Sequence, residues 1–508
     1  MAEVSRTARV IQNAKVALFF YCINLILQFF SRKIFLDYLG AELLGLNTTA
    51  QNLLQFLNLA ESGIGAAVAF ALYKPLSQKN RQEIIDIVSL QGWFYRWVGL
   101  FVFAGSIVLM TFFPWIFAKA DVPLVYVYGT FVAFLISALL GYFINYKMIV
   151  LSADQKEYKI TIETQSVKVI KVFIQMWAVW QLPHGYIWWM VLEVLGTVII
   201  SIRLNYCVKR EYPWLKTNIA KGKELSRCYP ILMTKTKQLF FHKVGGYVLG
   251  QTTPLIVYAF TSLTMVSIYG NYLLIMSGCL FLVNAFFRGV DAGVGNLVAL
   301  EEKTKIKQVF WQLMTLRLFI AGLACSGIWL LSESFIKLWV GQAYVMSSLP
   351  TAILTTTYFI HMTRNCDAFL SAYGLFQDIW APIIESLLNI SLSCLFGSFM
   401  GITGIFLGVL VSQLIIICTW KVYFLYKDGF QDNFTEYIVL YTKKILILLV
   451  TCFVISLFME GEPVDGFLAW GIKALEVTMC YIVIASVLFC LFDSSFREII
   501  RKVYYHLT

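Results

Sequence analysis

The stretch GLNTTAQNLLQFLNLAESGIGAAVAFALYKPLSQKNRQEI, residues 45–84, decides how this 508-residue chain is read. A long apolar segment spotted with polar residues runs into the core Glu61-Ser62-Gly63-Ile64-Gly65 and then into a basic loop. A second stretch repeats the pattern at residues 267–308: SIYGNYLLIMSGCLFLVNAFFRGVDAGVGNLVALEEKTKIKQ, with Asp291-Ala292-Gly293-Val294-Gly295 as its acidic-small-Gly-aliphatic-Gly core. The two lie about 222–230 residues apart, and another apolar span follows each. A duplicated unit in the same orientation implies two lobes related by a pseudo-two-fold axis along the membrane normal, rocking about a central site.

Working outward, apolar runs near twenty residues recur along the whole chain. Fourteen are expected to cross a membrane: 16–36, 43–73, 88–113, 123–146, 160–180, 186–206, 229–258, 264–298, 309–331, 350–372, 380–400, 403–420, 437–458 and 467–491. The expected fold is an all-α polytopic membrane protein of about 14 transmembrane helices, two six-helix lobes and two helices appended at the C-terminus. Its parts are an N-lobe at 1–206, a linker at 207–228, a C-lobe at 229–420, a loop at 421–436, and the last two spans with a tail at 437–508. Placing the N-terminus in the cytoplasm and alternating puts 23 Lys and Arg in the inside segments. The outside segments then hold only Lys119 and Lys337, as the positive-inside rule requires, and both termini are expected in the cytoplasm.

Composition bounds the function. The chain is 59% hydrophobic and only 14% charged, against about 25% charged for a soluble domain, which leaves no room for a large soluble domain. The net charge of +11 forms no single solvated patch, so nucleic-acid binding is not expected. Eleven Cys and four His are scattered without CxxC spacing or mutual clustering, so no metal site or cofactor is expected. The N-terminal apolar run is interrupted by Arg32-Lys33 and does not read as a cleaved signal. Walker A, HExxH, GxSxG and dinucleotide fingerprints are all missing from the sequence, which points to a secondary transporter rather than an enzyme.

The chemistry lies in charge placed deep in apolar spans. A charge at the bilayer centre costs about 3 kcal/mol on insertion scales unless it meets water or a partner. Arg32, Lys33, Lys168, Lys171, Lys243, Arg288 and Arg364 are the deep cations, and they imply a cationic cavity for an anionic cargo. Arg96, Arg203, Lys235, Lys237, Arg317, Lys443, Lys444 and Lys473 sit nearer the expected span ends and are expected to snorkel to the headgroups. Polar stripes at helical spacing suggest a lining that includes Gln51, Gln55, Asn58, Asn284, His361 and Asn365. Glu61, Asp291 and Asp367 are the carboxylates placed for ion or proton coupling; simple ion pairing, such as Arg288 with Asp291, is the alternative.

Three segments carry a resemblance. Ser31-Arg32-Lys33-Ile34-Phe35-Leu36-Asp37-Tyr38-Leu39-Gly40, then Gly45-Leu46-Asn47, then Glu61-Ser62-Gly63-Ile64-Gly65-Ala66-Ala67 are similar to bacterial oligosaccharide flippases. These are the O-antigen and capsule repeat-unit exporters in the polysaccharide-transport branch of the MOP exporter superfamily, which has a MATE-like fold. The likeness is most specific over about residues 30–85, and the two extra C-terminal spans resemble those of lipid II flippases. The resemblance implies a cargo of glycan on a polyprenyl diphosphate, moved across the bacterial inner membrane by alternating access through a cationic cavity. By position in their spans, Arg32, Lys33 and Arg288 match the family's habit of placing Arg there. The resemblance further implies membrane lipid, a polysaccharide polymerase and a chain-length regulator as partners. With the polyprenyl tail left in lipid, a lateral opening is expected near spans 1 and 8, with a groove for the tail at spans 13 and 14. Competing readings are a cation-coupled drug exporter of the same fold, a lipid II-type flippase, a membrane glycosyltransferase or polymerase, and a scaffold.

Overall fold

The computed structural model describes residues 6–61, 63–287, 290–375, 377–378, 380–459 and 465–507. Within these, the side chains of 6–8, 231, 235, 237–249, 290–292, 459 and 503–507 are not described. All regular structure among the described residues is helical. The chain divides into two compact units, Met1–Ser267 and Ile268–Thr508.

The first unit contains α1 (Arg6–Leu57), α2 (Ile64–Gln78), α3 (Arg81–Thr111), α4 (Leu124–Phe143), α5 (Glu157–Gln181), α6 (Gly185–Glu211) and α7 (Pro230–Phe260). α1 has 52 residues, too many for one straight crossing, and its backbone leaves helical geometry at Gly40 (φ 82°, ψ 172°). Without a Cβ, glycine takes this conformation at little steric cost. The two arms of α1 thus carry the expected first span and the start of the second. Asn80 then starts α3: its Oδ1 accepts from the Glu83 backbone N–H at 3.3 Å, and its amide donates to the Glu83 carboxylate at 3.0 Å. α5 packs against α1 and α6, and α4 against α1, α3 and α6.

α7 was expected to open the C-lobe, after a linker at 207–228. It packs on α1 and α2, and the first compact unit runs through it to Ser267. The reasons are local. The Tyr258 hydroxyl donates to the Ile116 carbonyl at 2.9 Å, and its ring stacks on Phe117 at 5.4 Å. The chain after α7 then runs hard against α1, where a Cβ on Gly45 would stand 1.9 Å from the Leu263 carbonyl oxygen.

The second unit takes in most of α8 (Leu263–Phe287), then α9 (Val290–Leu300), α10 (Lys303–Trp339), α11 (Ser348–Met362), α12 (Cys366–Ala372), α13 (Trp380–Met400) and α14 (Ile402–Gln413). It continues through α15 (Lys421–Phe424), α16 (Phe434–Met459), α17 (Phe467–Phe492) and α18 (Ser494–Leu507). π-helical stretches at Leu414–Trp420 and Leu425–Phe430 flank α15. α13 and α14 pack at very short range: a Cβ on Gly404 would meet the Phe396 carbonyl oxygen at 2.0 Å, and one on Gly408 would meet the Ser393 nitrogen at 2.3 Å. This is the close approach that GxxxG spacing permits. α16 and α17, expected as appended helices, pack on α10 in one core built from Phe310, Trp311, Tyr437, Tyr481 and Phe489.

Among the described residues, ten helical stretches are long and apolar enough to cross a membrane. The expected spans outside that group are the second, shared between α1 and α2; the charged α5 and α7; and the tenth, broken into α11 and α12. Large apolar side chains such as Phe101, Val108, Trp177, Phe399 and Phe453 stand exposed along these helices, as lipid-facing surfaces require. The chain is a multi-pass membrane protein.

Candidate substrate-binding site

In the first unit, most of the expected cations are occupied locally. Arg32 donates from Nη2 to the Ser267 carbonyl at 2.9 Å. Lys33 pairs with Asp37 one turn on, at 3.2 Å, with both side chains well exposed. Lys171 is held by Glu193 of α6 at 2.6 Å, with both groups largely buried. The Gln175 amide donates to the Trp189 carbonyl at 3.1 Å and to Glu193 at 3.2 Å, so Lys171, Gln175 and Glu193 form one bolt between α5 and α6. Lys168, one turn before Lys171, is exposed and makes no ion pair among the described residues. Of Lys243, only the helix around it is described, so its expected role lies outside the described side chains.

The polar face of the second expected span also resolves into parts. Gln51 is exposed, and Gln55 is half-buried. Asn58 accepts from the Tyr142 hydroxyl at 3.0 Å, and Glu61 accepts from the Tyr95 hydroxyl at 2.7 Å. The two tyrosine rings meet edge-on at 5.6 Å, which joins Asn58 and Glu61 in one polar cluster under the Gly63–Gly65 bend.

The second unit holds an open cavity of about 640 Å³. Leu280 and Asn284 of α8, Gly295 of α9, Arg317 of α10, His361 of α11 and Arg364, Asp367 and Ser371 around α12 line it. Three of the expected residues, Asn284, His361 and Arg364, therefore come together with Asp367, which was expected as a coupling group. Asp367 is shared: Arg364 Nε reaches one oxygen at 2.9 Å, and Lys421 Nζ, at the start of α15, reaches the other at 2.7 Å. Glu385 of α13, 4% exposed, lies within electrostatic reach of Arg364 and Lys421. Along the wall, Arg317 and Arg364 outnumber the one carboxylate, Asp367, so the described lining keeps an excess positive charge. His361 Nε2 lies 2.9 Å from the Gln413 amide nitrogen, at the end of α14. Asn365 does not line this cavity: it is 1% exposed, and its amide donates to the Phe310 carbonyl at 3.3 Å. Arg288 lies outside the described residues, as does the side chain of Asp291.

Two cations expected to snorkel do not. Arg317 is 7% exposed, sits 4.3 Å over the Phe287 ring and donates to the Met362 carbonyl at 3.4 Å. Lys444 is 2% exposed and buried against Asp493, with the Thr315 hydroxyl at 2.8 Å and the Trp311 ring at 5.4 Å. Asp493 also accepts the Phe496 backbone N–H at 2.8 Å, so one carboxylate both pairs with Lys444 and caps α18.

No family model matches the chain, and no curated protein matches it. Solved structures do. One is lipid II flippase MurJ in an inward closed conformation, with a TM-score of 0.63 at 16% identity, covering 94% of this chain and 99% of that one. Another is an inward-facing multidrug resistance MATE family transporter, with a TM-score of 0.60 at 11% identity, covering 82% of this chain and 97% of that one. An outward-facing MATE family transporter follows, at 0.51 and 10% identity, covering 84% and 96%. The chain therefore has the fold shared by MurJ and by the MATE transporters of the MOP superfamily.

Proposed function

We propose that this protein is a flippase that moves polyprenyl-diphosphate-linked oligosaccharide across the bacterial inner membrane for surface polysaccharide assembly. The observation that carries the reading is the second unit's cavity of about 640 Å³, with Arg317 and Arg364 at its wall and Asn284 and His361 beside them. Guanidinium groups suit phosphate oxygens because they donate in a planar fork. A volume of this order is that of a small-molecule site, large enough for a diphosphate with part of its first sugar. Asparagine, histidine and serine side chains suit sugar hydroxyls. The tail stays in lipid, so the site need only take the polar head. Alternating access is expected from the sequence repeat and is the fold's means of avoiding a continuous pore. Both termini are assigned to the cytoplasm, and a polymerase and chain-length regulator are the partners that would use the product.

Glu61 is the best candidate for ion or proton coupling in the first unit, since it accepts from the Tyr95 hydroxyl within the polar cluster that includes Asn58. Asp367 is less free for that role, being engaged by two cations. The same double engagement speaks against export of cationic drugs, because the described wall of the cavity offers no uncompensated carboxylate. A lipid II-type cargo shares the diphosphate chemistry and differs in the glycan and peptide.

The test is reconstitution in proteoliposomes with polyprenyl-diphosphate oligosaccharide labelled on the glycan. Protein-dependent flipping that drops at least tenfold in the folded Arg317→Gln and Arg364→Gln proteins supports the reading. Folded wild-type protein that moves lipid II but not the oligosaccharide moves the assignment to the second cargo. Movement of neither refutes the flippase reading.

A further inference from the structure

At the cavity wall, His361 meets Gln413 rather than a carboxylate at its Nε2. In the arrangement seen, Gln413 presents its nitrogen to His361 Nε2 at 2.9 Å, so that ring nitrogen accepts and carries no proton. The other end of the amide, Oε1, is buried without a hydrogen-bond partner. A half-turn of the amide would bring Oε1 onto Nε2 and let it accept from a protonated ring. Gln413 is thus a partner for either charge state of the imidazole, and one end of it is idle in each.

The surroundings give the direction. Arg317 on α10, Arg364 after α11, Asp367 on α12, Lys421 on α15 and Glu385 on α13 are the charged groups around the cavity and its Asp367 pair among the described residues. Tyr358, one turn before His361, meets its ring edge-on at 6.1 Å; α14 presents only the Gln413 amide. With cations in excess, an empty cavity disfavours another positive charge. An anion at Arg317 and Arg364, which line the same cavity as His361, reverses that field.

We propose that His361 takes up a proton at Nε2 when an anionic diphosphate enters the cavity, with the Gln413 amide turning to accept it, so that cargo binding and proton binding are linked. The proton comes from water, and no covalent bond to the cargo forms or breaks. The proposal rests on the reading of this cavity as the diphosphate site. Linkage is reciprocal: protonation favours the anion as much as the anion favours protonation. Release of the anion returns the proton, so a pH difference across the membrane would bias the direction of loading.

The experiment uses the full chain in detergent and a soluble diphosphate diester, a nucleotide diphosphate sugar. A diester of this kind does not itself titrate between about pH 5 and 8, the range where histidine does. Calorimetry in two buffers of different ionisation enthalpy reads the protons taken up per anion bound. The expected result is uptake approaching one proton somewhere in that window, with Kd weakening by up to about tenfold per pH unit across it. His361→Gln should bind the probe with no proton uptake and a flat pH profile. Gln413→Leu, which removes the amide that serves both states, should reduce the linkage while leaving Arg317 and Arg364 in place. Wild-type binding with no proton uptake, or uptake unchanged in His361→Gln, overturns the inference and leaves the cavity reading intact. Wild-type protein that binds the probe no better than Arg317→Gln overturns the cavity reading, and the inference falls with it.

Discussion

Replacing Lys444 should destabilise the protein far more than replacing its neighbour Lys443. Both were expected to reach the headgroups from one end of a span. Lys443 is exposed, whereas Lys444 is 2% exposed with its ammonium against Asp493, the Thr315 hydroxyl and the Trp311 ring. Removing one member of a buried ion pair leaves the other charge uncompensated, at a cost of about 3–5 kcal/mol. The Thr315 contact adds about 1 kcal/mol. Lys444→Met should therefore lose about 4–6 kcal/mol, and Lys443→Met should stay within about 0.5 kcal/mol of wild type. Asp493→Asn removes the charge but keeps an oxygen for the Phe496 N–H, so it isolates the ion pair from the α18 cap. The double variant Lys444→Met/Asp493→Asn should fall short of the summed single losses by about 2 kcal/mol or more. Unfolding in detergent, followed by tryptophan fluorescence, measures all four; Trp311 lies close enough to the ammonium to report locally. Equal behaviour of the Lys444→Met and Lys443→Met proteins, each within about 1 kcal/mol of wild type, would refute the buried-pair argument.

Arg317→Gln should weaken binding of a diphosphate diester by about tenfold to a hundredfold, the equivalent of one charge-assisted contact; titration of the folded variant in detergent checks this, and unchanged affinity overturns the cavity reading. Lys171→Glu should lower the unfolding temperature by setting two carboxylates together between α5 and α6, and the swapped pair Lys171→Glu/Glu193→Lys should recover most of the loss; no recovery would mean that the bolt is held by packing alone. At the loop before α5, burial raises the Asp154 carboxyl, but hydrogen bonds from Lys156 and Tyr212 and the charges of Lys156 and Arg9 outweigh it, holding the group below the usual carboxylate range. A depressed folded value gives stability that is present above the unfolded value, near 3.8, and lost as pH falls through the folded one. Asp154→Asn should therefore flatten the acid limb of an unfolding-temperature profile below about pH 4 and leave its shape near neutrality unchanged.

The sequence was legible where one element explains itself. The apolar runs fall on helices, and the two spans expected over α1 and the start of α2 correspond to arms of α1 that Gly40 turns apart. It was less legible where a position had to be measured from a span end. With a span placed at 309–331, Arg317 stood eight residues from its start and within snorkelling reach. α10 begins at Lys303, so Arg317 stands fourteen residues in, about 21 Å along the axis. Lys444 likewise stands ten residues into α16, about 15 Å from its start. Hydropathy starts a span where charge thins out, whereas hydrogen bonding continues the helix back through Lys303, Lys305 and Lys307. A span read too short makes a deep cation look shallow.

Burial depth alone does not tell a structural cation from a binding one; the partner does. Lys171, Lys444 and Arg364 are all deep, and each has a carboxylate. Glu193 and Asp493 are buried with their lysines, so an incoming anion could reach neither pair without separating helices. Arg364 differs in geometry: Asp367 is 40% exposed, and Lys421 already holds its other oxygen. An anion can therefore take Arg364 from Asp367 without stranding the carboxylate, because Lys421 remains to compensate it. That exchange costs one half of a shared ion pair rather than a whole buried one. The partner that makes the difference, Lys421, lies 54 residues from Asp367, where no local pattern records it.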